Sequence, residues 1–320
     1  MEIPLRTAGS RESRIAPRAG RRSVVNIGEL TSRLAGVRGV MFDIDGCLVL
    51  SDGPSGHGGS VLAGASEAIA HVRASGRSLV AFTNGSMQTS GQIAASLRSM
   101  GLDVQDSEVL TPAVVAAETM QDLYQDQPLL VFGGNGVLDD FEHRGLNLVD
   151  IDRALTGAPT RAAAVVIGWD TAFGKDKIQV AAEAILAGAK LYCTSDAPSF
   201  ASKDRLNVGV SGFIAAGLSH VTDRPYRVLG KPSEESINVL SRRLHVQPSE
   251  MLIVGDDLTL ECEMARRAGA LGCLVTTGTH SAVDAAAAPV EQKPDFVVDN
   301  LMELVELFAL SSAGTTAARG

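Results

Sequence analysis

Cysteine is scarce and scattered in this chain. Cys47, Cys193, Cys262 and Cys273 form no C-x-x-C pair and no Cys/His cluster, which excludes a thiolate zinc site and offers no disulfide framework. The histidines His57, His71, His143, His220, His245 and His280 show no ligand spacing either. A reducing, cytoplasmic setting is the expectation. No apolar run reaches the roughly 18 residues of a membrane span. Positive charge is in deficit, with 28 Lys and Arg against 37 Asp and Glu and a net charge of -9. Nucleic acid and membrane are therefore not the expected partners, and a small molecule is.

Three familiar catalytic loops are missing as well. Gly133-Gly134-Asn135-Gly136 lacks the third glycine of a dinucleotide fingerprint. Gly230-Lys231 has Pro225 where a Walker A loop needs its first glycine, and Ser211 in GVSGF is not in a G-x-S-x-G elbow. Positive charge gathers only at the start, where Arg6, Arg11, Arg14, Arg18, Arg21 and Arg22 stand without the apolar segment of a secretory signal. Residues 1–24 read as a flexible arm.

What is present is an α/β pattern. At 320 residues the chain exceeds the usual single domain, so two domains, or one with a large insertion, are expected. Strand-like runs GVMF (39–42), SLVAF (78–82), MLIV (251–254), LGCLV (271–275) and DFVV (295–298) alternate with helical periodicity. Ile93, Leu97 and Met100 share one helix face, as do Ile237, Leu240 and Leu244. Pro232 suits a first helical turn, and Gly101 a helix end. A second α/β set lies in the middle: LLVF (129–132), AAVVI (163–167) and KLYC (190–193), with a helix over 176–187. The run 53–60, GPSGHGGS, is a loop by composition.

Asp43 and Asp45 follow the first strand directly, where their like charges repel. In an open α/β sheet, ligands bind beyond the carboxyl ends of the strands. Three other runs end the same way: SLVAF leads to Thr83-Asn84-Gly85-Ser86, RVLG to Lys231, and MLIV to Gly255-Asp256-Asp257. A turn needs Asp, Asn, Gly or Ser, but it needs neither an acid pair nor a lysine. Converging carboxylates make sense around a hard dication, and Mg²⁺ takes one or two carboxylates plus water and phosphate oxygens. The metal would also shield an incoming phosphate from them.

Asp43-x-Asp45-Gly46, Thr83, Lys231 and Gly255-Asp256-Asp257, in that order, resemble the haloacid dehalogenase superfamily, specifically its Mg²⁺-dependent phosphatases. The likeness extends over about residues 37–308. It implies that Asp43 is the nucleophile, forming an aspartyl phosphate, and that Asp45 is the acid and base. Thr83 and Lys231 would hold the phosphoryl oxygens. Asp43, the backbone carbonyl of Asp45, and Asp256 would bind Mg²⁺, with Asp257 or Glu261 as the outer-sphere acid.

Thr83 follows Asp45 by 38 residues, and Lys231 follows Thr83 by 148, room for a domain only in the second interval. The arrangement is similar to the class IIA subfamily, which has a cap inserted there. LAGASEAIAHVRASG (62–76), VVIGWDTAFG (165–174), SFASKDRLNVGVSG (199–212) and GKPS (230–233) add local likeness. Two features depart from the pattern. Thr194-Ser195-Asp196-Ala197 stands where the subfamily reads T-N-x-D, and the loop after Asp45 is longer and Gly/Ser-rich.

The expected fold is a doubly wound, mostly parallel sheet over 25–110 and 220–310, with an inserted α/β cap over 111–219 and a tail over 311–320. The expected function is Mg²⁺-dependent hydrolysis of a small phosphorylated metabolite, with a homodimer as the open oligomeric alternative. Asn84, Gly85, Trp169, Asp170, Asp196, Lys203 and Arg205 are the candidate substrate contacts; for the last five, a core-edge or solvated-loop role is the competing reading. A dehalogenase would need Asp43 without Asp45. A phosphate-binding module without turnover would be free to lose one of the motifs, and none is lost.

Overall fold

The structure, a computed structural model, describes residues 27–51, 59–158, 160–200 and 207–317. The Arg-rich arm and most of the Gly/Ser-rich loop lie outside the described residues. Among the described residues, fourteen strands follow in chain order: β1 (Gly39–Asp43), β2 (Val49–Leu50), β3 (Ser60–Val61), β4 (Ser78–Phe82), β5 (Val109–Leu110), β6 (Leu129–Phe132), β7 (Ala164–Ile167), β8 (Lys190–Cys193), β9 (Ser199–Phe200), β10 (Asn207–Val208), β11 (Tyr226–Val228), β12 (Met251–Gly255), β13 (Leu271–Val275) and β14 (Phe296–Val298). Six of them form a parallel sheet in the order β14-β13-β12-β1-β4-β5.

The central strands are apolar throughout because both faces of this sheet are covered. Val40 and Phe42 of β1 point to one side, into a core with Leu34, Ile69, Leu304 and Phe308. Met41 points to the other, with Val80, Phe82 and the helices Pro112–Tyr124 and Glu234–Leu244. The helix faces expected from periodicity are the buried ones: Ile237, Leu240 and Leu244 are buried, and Leu97 is buried with Ile93 and Met100 packed beside it. Thr89 opens the helix Ser90–Ser99 through a capping box with Gln92, and Gly101 follows its end at φ +93°.

A second parallel sheet has the order β11-β8-β7-β6. Its core is continuous with the first, since Leu129, Val131 and Val166 join the same apolar cluster as Met41 and Phe82. Two short antiparallel pairs, β2 with β3 and β9 with β10, complete the strands.

Several sequence expectations shift. The strand that leads to Lys231 does not belong to the main sheet: β11 pairs with β8, so the second sheet runs past the boundary drawn at 219. Pro232 does not open a helix; the helix begins at Glu234, with the Ser233 side chain accepting from the Ser236 amide at 3.0 Å. The segment taken as a tail is helical to Ala317 within Leu301–Ala317. Among the described residues, no helix is long and apolar enough to cross a membrane.

Candidate active site

The strand order dictates where ligands gather. The chain runs from β1 outward through β4 and β5, then returns to β12 on the other flank of β1, so the crossover reverses between β1 and β12. Phe42 is level with Ala81 of β4 and Val254 of β12. Asp43, Thr83 and Asp256 therefore emerge side by side beyond three adjacent strand ends.

Lys231 arrives from the second sheet and is buried. Its ammonium donates to the Asp43 carboxylate, to Glu261 Oε1 at 2.6 Å and to the Phe82 carbonyl at 2.9 Å. These three bonds use all the donors a lysine has. Lys231 was expected to hold phosphoryl oxygens, but in this arrangement it offers charge and has no spare N–H. Burial opposes that charge, yet Asp43 and Glu261 together hold the ammonium above the usual lysine range. Burial pushes Asp43 well above an ordinary aspartate; Lys231 pulls it back, and Glu261 and Asp256 add to the rise.

Asn84 was expected to touch substrate, and its side chain is occupied instead. Its Oδ1 accepts the Lys231 amide at 2.9 Å and its Nδ2 donates to the Lys231 carbonyl at 3.1 Å, which locks the lysine's backbone to the end of β4. The Gly85 amide donates to Thr83 Oγ1 at 3.0 Å, leaving the threonine's own proton to donate outward. Asp45 reaches the surface and accepts the Ser51 hydroxyl. Burial of its carboxyl nevertheless raises its pKa, and the Ser51 hydrogen bond pulls it partly back. Asp45, Ser51, Thr83 and Gln88 share the wall of a small cleft of about 50 Å³.

Asp256 sits between two glycines. A Cβ on Gly46 would lie 2.4 Å from Asp256 Oδ2, and one on Gly278 only 2.0 Å from it. Gly46 also holds φ +87°, and its carbonyl accepts the Thr277 hydroxyl at 2.6 Å. The Thr279 amide donates to Asp256 Oδ2 at 2.6 Å. None of Gly278, Thr277 and Thr279 was singled out from the sequence. They follow β13, a strand end to which the same placement rule applies.

The two outer-sphere candidates separate. Asp257 faces away: its Oδ1 accepts the Thr259 and Leu260 amides at 2.7 and 3.2 Å and starts the next helical turn. Glu261 folds back over Gly255, where a Cβ would meet its Cγ at 2.2 Å, and reaches Lys231. Among the described residues, no three His, Cys, Asp or Glu side chains gather as a metal cage. The arrangement instead suits an ion held by two carboxylates, Asp43 and Asp256, and the Asp45 carbonyl. The glycine-lined cradle and the burial-raised carboxyls, which repel one another, fit a hard dication.

On the second sheet, the Trp169 carbonyl accepts the Gly134 amide at 2.9 Å. Gly136 is forced by close approach, since a Cβ there would lie 2.6 Å from the Met87 backbone beside the cleft. Asp170 is not directed at a ligand: it is buried, pairs with Lys177 at 2.7 Å and accepts the Ala172 amide at 2.9 Å. Asp196 is exposed. Lys203 and Arg205 lie outside the described residues. Cys47 is buried by the acidic groups, and burial first, then Asp43, raises its thiol, as inert packing requires.

A family model described as haloacid dehalogenase-like hydrolase matches residues 40–147, and a second HAD-hydrolase-like model matches 228–304. The chain is 30% identical over 277 residues to phospholysine phosphohistidine inorganic pyrophosphate phosphatase of Bos taurus, covering 86% of this chain and 95% of that one. It superposes on 4-nitrophenylphosphatase from Thermotoga maritima with a TM-score of 0.75 and 27% identity, over 86% of this chain and 99% of the other. Glycerol phosphate phosphatase from Mycobacterium tuberculosis, solved in complex with magnesium, gives a TM-score of 0.73 and 26% identity over 85% and 78% of the two chains. A two-sheet architecture with an acid pair at the crossover point, matched along its length by these proteins, has one reading: the chain belongs to the haloacid dehalogenase-like hydrolase family, in its class IIA branch of phosphatases.

Proposed function

We propose that this chain is a Mg²⁺-dependent phosphatase that hydrolyses a small-molecule phosphate monoester through an aspartyl phosphate on Asp43. The observation that carries it is the convergence of Asp43, Asp256 and Thr83 at adjacent strand ends, with the Lys231 ammonium bound to Asp43. An Asp43 carboxylate oxygen attacks phosphorus while the bond to the leaving oxygen breaks, and Asp45 gives that oxygen its proton. Water then attacks the same phosphorus, Asp45 takes its proton, and the bond to Asp43 breaks to release inorganic phosphate. The Thr83 hydroxyl donates to the charge that grows on the phosphoryl oxygens, and Lys231 keeps Asp43 oriented and its neighbourhood electrically balanced. Mg²⁺, when bound by Asp43, the Asp45 carbonyl and Asp256, supplies neutralisation of the phosphate charge.

The second sheet with its helices acts as a cap over 111–219 extended by β11. It supplies the surface that meets the leaving group through Gly136, which abuts Met87 at the rim of the cleft, and through the exposed Asp196. Relatives named for phospholysine, phosphohistidine and pyrophosphate, for glycerol phosphate and for 4-nitrophenyl phosphate define the assay panel.

Phosphate release from that panel should appear with Mg²⁺ and vanish in excess chelator; full release in chelator would remove the metal from the reaction. Asp43→Asn should abolish turnover. Asp45→Asn should give a single burst of nitrophenol from 4-nitrophenyl phosphate and then stall, because that leaving group needs little protonation whereas water attack still needs a base. Phosphate recovered covalently on Asp45 would overturn the assignment.

A further inference from the structure

On the far side of the main sheet, a groove of about 580 Å³ opens at the amino end of β4, against Ser78, Leu79 and Val80. Five arginines are among the residues that line it, Arg73, Arg77, Arg144, Arg242 and Arg243. In a chain with a net charge of -9, such a concentration is out of keeping with the rest of the surface. The catalytic groups sit beyond the other end of β4, about 16 Å away along a five-residue strand. The phosphoryl group transferred at Asp43 does not reach this groove.

Among the described residues, two carboxylates, Glu108 and Glu118, line the same groove. Glu118 accepts from three arginines at once: Arg144 at 2.9 Å and Arg243 at 2.8 Å on Oε1, and Arg242 at 3.1 Å on Oε2. Glu118 is thus surrounded by three arginines, of which Arg242 also pairs with Asp122, and Asp140 lies near Arg144 and Arg243. Glu108 takes Arg73 at 2.6 Å. Arg77 donates to the carbonyls of Val37 and Leu34 and lies over the Phe308 ring at 4.9 Å; among the described residues it meets no carboxylate. Asp103 and Asp122 reach Arg73 and Arg242 from the solvent side. They are 69% and 57% exposed, so water and salt weaken their hold.

We infer that this groove is a second anion site, built for a small oligophosphate. Planar guanidiniums bind phosphate in forked pairs. The ligand must carry more than one charge, because it has to compete with Glu118 and Glu108 for the same donors. The volume lies within the range that holds a nucleotide-sized ligand.

The test uses the full chain carrying Asp43→Asn, in chelator, titrated calorimetrically with inorganic tripolyphosphate at low salt. The substitution keeps the result independent of the proposed reaction, and without metal the carboxylates of the catalytic site repel the probe. One binding event per chain is expected, weakening as salt rises. Adding Arg77→Gln and Arg242→Gln together should raise Kd about tenfold. Glu108→Gln, which keeps an acceptor for Arg73 but removes a charge, should lower Kd about threefold. Thermal melts of each variant check that the fold survives. No binding by the Asp43→Asn chain, or a Kd unmoved by the paired arginine changes in a folded variant, would mean that the arginines only tie the two helices together.

Discussion

At the scale of single residues, Lys231 has the most consequential surroundings. Its three donors are consumed by Asp43, Glu261 and the Phe82 carbonyl. Removing one partner of such a buried group costs more than the bond itself, because the remaining charge stays desolvated. Glu261→Gln keeps an acceptor for the ammonium and removes a carboxylate that repels Asp43. Glu261→Ala leaves Lys231 one acceptor short. Activity should therefore survive better in Gln than in Ala, and the thermal midpoint should fall by several degrees more in Ala. Equal losses in both would mean that Glu261 acts by charge alone. Lys231→Met should be the most damaging of the three in stability, since it leaves Asp43 and Glu261 buried together without a cation. Denaturant melts at neutral pH measure it.

At the scale of elements, two close approaches hold the site together. Gly278, after β13, presses on Asp256, and a methyl there has nowhere to go at 2.0 Å from Oδ2. Gly278→Ala should displace that carboxylate and weaken Mg²⁺ binding by about 10 to 100-fold, as loss of a ligand's supporting contacts does elsewhere. The magnesium concentration needed for half-maximal phosphate release reads this directly, and an unchanged titration would place the ion elsewhere. The second approach joins the two sheets. The helix Asn135–His143 begins against the loop after β4 with Gly136 at its narrowest point. Gly136→Ala should push the helix away from Met87 and Gln88. KM for a bulky phosphate ester should rise, with a smaller change for 4-nitrophenyl phosphate. Proportional changes on both substrates would show that the contact serves stability alone.

At the scale of the whole molecule, the site ties stability to pH and metal together. Asp43, Asp256 and Glu261 each titrate higher folded than free, burial being the first cause in each. A raised carboxyl binds its proton more tightly in the folded chain. The stability it contributes is complete below the unfolded value, near pH 4, and is lost as pH climbs through the folded one. A dication that binds the ionised carboxylates works in the opposite direction, offsetting the loss where they are charged. The rise in Tm on adding Mg²⁺ should therefore be larger near pH 8 than near pH 5. Equal increments would mean that the ion does not bind these carboxylates.

Sequence alone determined the longer strands of the two parallel sheets and the order of the chemistry beyond their ends, but not the two-residue strands β2, β3, β5, β9 and β10. Parallel strands buried on both faces must be short and apolar, so β4, β6, β8 and β13 are legible with their bounds, and the acids, threonine and lysine beyond strand ends are legible as a set. These are local facts of period and punctuation. Only the tertiary structure decided which sheet β11 joins, because pairing depends on a neighbour that sequence distance does not reveal. It alone separated Asp257, committed to starting a helical turn, from Glu261, committed to Lys231, although both are acids at plausible spacing. The cradle of Gly46 and Gly278 around Asp256 escaped notice for the same reason. A glycine required by a turn and one required by a carboxylate from another strand look alike along the chain, and they differ only in what a Cβ would strike once the strands lie side by side.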